Sequence, residues 1–233
     1  PQIGVCFDNK TLGDELDAAG LSWRYYTSAL SPFSDGTLWN AYQAISHIYN
    51  GPDWKKDVKS PQTRIFDDVK NGKLPAVAWV TPTCRNSDHA ACESNHGPQW
   101  VTSLVNAIGQ SPYWNSTAIF IMWDDYGGWY DHVPPPLEDF DGLGVRVPLL
   151  IVSPYAKTGY VSHVQYEHGS ILKFIEDQFG LPRLAATDSR ANSPAQDCFN
   201  FNQSPRRFTP LPTALGPRYF ENEAPDTRPV DTY

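Results

Sequence analysis

What this sequence has little of narrows its function before any motif is considered. Charged residues make up only 19% of its 233 positions, and 26 Asp and Glu outnumber 18 Lys and Arg. The net charge of −8, with no basic stripe, argues against DNA or RNA as a partner, because clustered Lys and Arg are what hold phosphate backbones. No apolar run approaches the roughly 18 residues that cross a bilayer, so a spanning helix is excluded. The four cysteines include no CxxC pair, which counts against a structural zinc site. No internal repeat is present. The chain opens at Pro1 without an initiator Met or the n-region and apolar h-region of a signal peptide, and a processed or trimmed start is therefore expected.

What is present is aromatic and proline-rich. With 8 Trp, 12 Tyr and 11 Phe the chain is no disordered polymer, and 21 Pro predict wide connections over a compact core of one large domain. Cys84 and Cys92 enclose a polar loop that a disulfide would staple; His89 and His96 nearby make zinc the competing reading, and the spacing favours the disulfide. A pairing of Cys6 with Cys198 is left open by the sequence. An even cysteine count with few Lys and many Pro and Trp suits an exported protein, secreted or periplasmic.

Helix and strand signals alternate along the chain. Residues 11–20 read as a short helix, with Thr11 as N-cap, acids in the first turn and Gly20 at the stop. Residues 22–26 read as a strand. Helical spacing marks 37–49, where Leu38, Tyr42, Ile45 and Tyr49 share a face and His47 is read as structural, and 60–72, with Ile65, Phe66 and Val69 inward. Residues 75–80 form a buried strand, 100–108 a helix, and 117–123 and 147–153 strands whose unbroken apolar runs suit a parallel sheet covered on both faces. An amphipathic helix over 170–179 stops at Gly180. This alternation predicts an α/β fold around a mostly parallel sheet. Eight prolines fall in the last 52 residues, so 183–233 reads as an irregular Pro-rich tail packed on the domain formed by residues 1–182.

Ligands of open α/β sheets bind beyond the carboxyl ends of strands. There the strongest strand runs into Asp124-Asp125-Tyr126-Gly127-Gly128-Trp129-Tyr130-Asp131-His132. Adjacent carboxylates repel unless a cation holds both, which points to a divalent metal; the plainer reading is that they cap the loop and pair with Arg146 or Arg85. Thr11 is an ordinary helix cap, or a nucleophile whose hydroxyl a metal would acidify. His89 is a surface loop residue, or a donor to a phosphoryl oxygen or leaving group.

The run from Trp123 through Asp131-His132-Val133-Pro134-Pro135-Pro136 resembles the signature of the bacterial phosphoesterase family that contains phospholipases C and related acid phosphatases. The likeness continues through Arg146-Val147-Pro148 to Val161, through Gln165 to Glu176, and upstream in Thr11-Leu12-Gly13-Asp14-Glu15-Leu16-Asp17. The resemblance implies an alkaline-phosphatase-like three-layer sandwich with a mostly parallel central sheet. It implies a metal-dependent hydrolase of phosphate esters that passes through a phosphothreonine on Thr11. Asp124, Asp125 and Thr11 would ligate a divalent cation of unspecified identity, His89 would contact the phosphoryl group, and His168 is a further site position. A phosphoester or phospholipid is the implied substrate, with contact at a lipid surface and no nucleic acid. Choline recognition would need an aromatic cage, for which Trp129, Tyr130, Tyr126 and Trp100 are the candidates.

One departure stands out. The family also uses an adjacent Glu-Asn pair near the amino terminus, in a Glu-Asn-x-Ser-Phe-Asp motif that this sequence does not contain; Glu221-Asn222 lies in the tail and does not match. The chain is therefore expected to be a carboxy-terminal portion lacking its amino-terminal strand or strands, with the missing segment supplied by the parent chain. The alternative reading is a non-catalytic ligand-binding module that keeps the fold without a complete metal site. A sulfatase-like hydrolase is disfavoured, because its nucleophile position would need a modifiable Cys or Ser and the residue there is Thr11.

Overall fold

A computed structural model describes residues 6–30, 39–90, 92, 96–140 and 142–224. It separates into two units, Pro1–Ser111 with Pro210–Tyr233, and Pro112–Thr209.

In the first unit Thr11 caps α1 (Leu12–Ala18) through a reciprocal capping box with Asp14. The chain leaves α1 through Gly20, whose φ of 69° is left-handed, and enters β1 (Trp23–Tyr26). After β1 come α2 (Ser46–Asn50), α3 (Asp53–Lys56), β2 (Val58–Lys59), α4 (Arg64–Lys70) and β3 (Val77–Val80). The strands form a parallel sheet ordered β2-β1-β3, in register Tyr25 to Val58 and Trp23 to Val77. Parallel neighbours need crossovers, and the intervening helices supply them. As its periodicity predicts, α4 buries Ile65, Phe66 and Val69. Phe66 meets Trp100 of α5 (Gly97–Gly109) edge-on at 5.4 Å, and Trp100 meets Phe220 at 5.1 Å. A second cluster joins Trp23, Tyr42, Tyr25 and Trp79.

Two expectations change here. The helix read over 37–49 is broken: a 3₁₀ turn at Ala41–Ala44 and α2 are separated by Ile45, which is extended. Ile45 pairs with Phe7 in a parallel bridge, with Phe7 N–H to Ala44 O at 2.9 Å and Ser46 N–H to Phe7 O at 2.7 Å. A β-branched residue adopts that strand-like conformation easily, and tertiary pairing overrides the helical period. Thr37 and Leu38 lie outside the described residues. β3, read as a buried strand, is buried at Val77, exposes Ala78 and is half-buried at Trp79 and Val80.

The second unit contains β4 (Ile119–Met122) and β5 (Leu149–Val152). They pair antiparallel, Ile119 opposite Val152 and Met122 opposite Leu149, which corrects the parallel reading of these runs. The connection from 123 to 148 contains no helix among its described residues, so it supplies none of the helical crossover usual between parallel neighbours. Nor is the pair covered on both faces: β4 is half-buried throughout and Leu150 is exposed. Phe120 packs with Phe174 of α6 (Gly169–Phe179) and with Phe199, beside Ala156 and Cys198. Gly180 ends α6 at φ 66°, as read.

The tail holds α7 (Ala186–Arg190), α8 (Pro194–Asp197) and α9 (Pro217–Glu221). Up to Thr209 it belongs to the second unit, where Trp114 Nε1 donates to Arg206 O at 2.6 Å. From Pro210 it belongs to the first, where Asn106 and Leu211 exchange hydrogen bonds of 2.8 Å in both directions.

Candidate functional site

Thr11 stands at the entrance to α1, half-buried, with its hydroxyl donating to Asp14 Oδ2 at 2.7 Å and accepting from the Asp14 N–H at 3.3 Å. The Thr11 N–H also reaches Asp14 Oδ2, at 2.7 Å. Gly13 lets the turn close tightly, since a Cβ there would come within 2.9 Å of the Trp23 ring and 3.1 Å of the Tyr42 hydroxyl. Burial raises the Tyr42 pKa, while hydrogen bonds from Gly13 and Thr11 oppose that rise. Partial burial works against ionisation of Asp14, yet the Thr11 bonds and the His47 ring hold its carboxyl below the usual carboxylate range.

That contact with His47 was not anticipated. His47, read as a structural residue in mid-helix, places Nε2 2.9 Å from Asp14 Oδ1 and Nδ1 2.8 Å from Asp8 Oδ1. Asp14 carried a sequence signal, an acid three residues after a cap. Asp8 and His47 carried none, because their association depends on the bridge between Phe7 and Ile45.

His89 is exposed in the same unit, on a loop closed by the Cys84–Cys92 disulfide, with the two Cα atoms 5.1 Å apart. Its N–H donates to Ser87 Oγ at 3.2 Å, its carbonyl accepts from Cys92 N–H at 2.9 Å, and its ring stacks on Trp39 at 5.4 Å. The disulfide reading over zinc is thus met, and Cys6 and Cys198 are not disulfide-bonded.

Asp124 and Asp125 are exposed at the carboxyl end of β4, in the second unit. Asp125 Oδ1 accepts from Gly127 N–H at 2.6 Å, an Asx turn, and Gly127 and Gly128 follow at φ 59° and 80°. The suggested partner Arg146 is engaged elsewhere: its Nε and a terminal nitrogen grip Asp131 at 2.8 and 3.0 Å. That grip, with the Val133 N–H, holds the Asp131 pKa down to about 2. His168 is brought to this end of β4, its Nε2 3.3 Å from Trp123 O. Two adjacent exposed carboxylates are hard oxygen donors of the kind divalent cations take. Among the described residues, however, no trio of Asp, Glu, His or Cys that includes them brings its ligand atoms within 4.8 Å of one another.

Of the proposed cage, Tyr126, Trp129 and Tyr130 are exposed, whereas Trp100 is only 2% exposed in the core and drops out. Another acidic trio, Asp17, Asp53 and Asp57, brings its oxygens within 4.8 Å of one another. Lys56 Nζ already sits against all three, at 3.1 Å from Asp17 and Asp57 and 3.9 Å from Asp53, and offsets part of their charge.

The sequence profile of the Phosphoesterase family matches residues 2–182, which takes in Thr11, His89, Asp124, Asp125 and His168. The chain belongs to the phosphoesterase family. Among its relatives, a non-hemolytic phospholipase C of Burkholderia pseudomallei is 31% identical, over 92% of this chain and 37% of its own length. A phospholipase C B of Mycobacterium tuberculosis is 29% identical, over 86% of this chain and 45% of its own. A non-specific phospholipase C4 of Arabidopsis thaliana is 31% identical, over 82% and 41%. This phosphoesterase chain therefore spans less than half the length of these relatives.

Proposed function

We propose that the chain carries catalytic machinery of a phosphoric ester hydrolase, of the phospholipase C or acid phosphatase type, on an alkaline-phosphatase-like sandwich. The observation that carries this reading is the state of Thr11: a hydroxyl at a helix start, hydrogen-bonded to a carboxylate that stays ionised. Thr11 Oγ1 gives up its proton to Asp14 or water and attacks phosphorus as the bond to the leaving oxygen breaks. The phosphoryl group passes to the threonine, and the alkoxide takes a proton from His89 or water and departs as the alcohol. Water then cleaves the phosphothreonine and restores the hydroxyl. Asp14 Oδ2 accepts the hydroxyl hydrogen bond and the Asp14 N–H takes one lone pair of the oxygen, which leaves the other for attack. His89, exposed on its stapled loop, donates to a phosphoryl oxygen or to the leaving group. Asp124 and Asp125 are the ligands for a divalent cation, with His168 beside them. When bound, such a cation supplies charge neutralisation for the phosphoryl oxygens and acidifies a hydroxyl. The named relatives support a phospholipid or smaller phosphate ester as substrate, and the disulfide supports an exported location.

The test is Thr11→Ala in the full-length protein. Hydrolysis of p-nitrophenyl phosphate and of a phosphocholine ester should fall by at least about 10³-fold with the circular dichroism spectrum unchanged. Wild-type protein that binds such esters but turns none over would favour the binding-module reading instead.

A further inference from the structure

His47 joins the two flanks of the nucleophile turn. Its Nδ1 contacts Asp8, three residues before Thr11, and its Nε2 contacts Asp14, three residues after. The His47 backbone N–H adds a third tie, to Asp8 Oδ1 at 3.2 Å. The short strand-like bridge between Phe7 and Ile45 lays the Asp8 segment alongside α2 and so sets this geometry. Both partners are carboxylates, which only accept. A neutral imidazole has one N–H and can satisfy one of them; an imidazolium has two and satisfies both.

We propose that His47, in its imidazolium form, is a positioning residue for phosphoester turnover: acting through Asp14, it holds the carboxylate that orients the Thr11 hydroxyl. The inference rests on the reading of Thr11 as nucleophile. Asp14 makes its bonds to Thr11 with Oδ2 and its bond to His47 with Oδ1, so one rotamer serves both, and the ring locks that rotamer from the far side. The environment favours the charged ring. The Asp8 hydrogen bond raises the His47 pKa, desolvation opposes the rise, and Asp14 adds to it. Around the ring, Asp8 lies on the preceding segment and Asp14 on α1, while α3, packed on the same helix, carries Asp53, Lys55 and Lys56. Of these, Lys56 is committed to Asp17 and Asp57. Lys10, also on the preceding segment, is paired with Glu15 at 2.9 Å.

The sign of the pH dependence follows. Positioning is complete while His47 is protonated and fades as pH rises through its raised pKa, so kcat carries an alkaline limb from this group. Removing the charge on Asp8 lowers the pKa of the ring and moves that limb toward acid, by about one unit.

The experiment uses the full-length protein, p-nitrophenyl phosphate and complete pH–rate profiles for wild type, Thr11→Ala, His47→Gln and Asp8→Asn. His47→Gln should lower kcat on the order of tenfold to a hundredfold while KM changes by less than about twofold. Asp8→Asn, at a side chain 70% exposed and thus the variant least able to disturb folding, should shift the alkaline limb of kcat downward. Nitrogen-15 NMR of the His47 ring should show both nitrogens protonated in wild type at pH values where the ring of Asp8→Asn has already begun to deprotonate. If turnover survives Thr11→Ala, the nucleophile reading fails and takes this inference with it. If Thr11→Ala abolishes turnover but His47→Gln keeps wild-type kcat, or the Asp8→Asn and wild-type profiles superimpose, the positioning role alone is overturned.

Discussion

Around Thr11, polar groups are bound to one another before any substrate arrives: hydroxyl and N–H to Asp14, Asp14 to His47, His47 to Asp8. Around Asp124 and Asp125 the backbone is shaped by an Asx turn and two left-handed glycines, and both carboxylates face solvent. The first region is preorganised by hydrogen bonds within the protein. In the second, one Asp125 oxygen is tied to the Gly127 N–H and the rest of both carboxylates is open to a ligand. If Thr11 is the nucleophile and the two acids hold the cation, as proposed, then folding and catalysis are entangled at the Thr11 turn and separable at the acidic loop.

The largest expected effect after that of Thr11→Ala tests that separation. Asp124→Asn should lower phosphoester hydrolysis by roughly 10²- to 10³-fold and raise the metal concentration needed for activity, with Tm essentially unchanged. A large fall in Tm would show that the acidic loop is structural after all.

A second prediction sets a buried carboxyl without a catalytic duty beside these two regions. Glu176 is fully buried on α6; burial pushes its pKa up to about 7, Asp188 adds to the rise and Arg183 opposes it. A carboxyl raised in the folded state stabilises it fully below the unfolded pKa near 4.5, and that contribution is lost as pH climbs through about 7. Glu176→Gln should therefore match wild type at pH 4 and exceed it above pH 7, by an amount on the order of 3 kcal/mol in urea unfolding. Parallel curves at both pH values would remove this buried charge from the account.

The smallest effects compare two crowded glycines. At Gly169 a Cβ would meet the Thr187 backbone at 2.9–3.0 Å, and backbone does not yield; Gly169→Ala should cost about 1–3 kcal/mol. At Gly13 the obstacles are the side chains of Trp23 and Tyr42, and alanine regains about 1 kcal/mol of helix propensity. Gly13→Ala should cost less in Tm than Gly169→Ala, yet lower kcat because the turn at Thr11 must shift. Equal activity in both variants would argue that the turn tolerates displacement.

Elements announced by local chemistry were legible in the sequence. The cap at Thr11 and the stop at Gly20 bracket α1, the apolar face of α4 follows its period, and Gly180 ends α6. Elements set by pairing were not. Ile45 leaves a helical pattern to bridge Phe7, and an apolar strand such as β4 carries no mark of its partner's direction. The site divides the same way. Thr11, Asp124 and Asp125 sit beside glycines and caps that single them out. Asp8 and His47 lie 39 positions apart, and only the folded chain joins them.

The clasp between Asp131 and Arg146 has a consequence for what the segment it encloses can tolerate. It fixes both feet of the segment that follows the acidic loop. A segment anchored in that way is charged for its length only through closure entropy, at about 0.6 kcal/mol per doubling. Insertions between Pro136 and Gly144 would leave the feet, and the carboxylates upstream of them, where they are. Here a change of length is expected to leave the acids in place: a tolerant stretch between fixed feet.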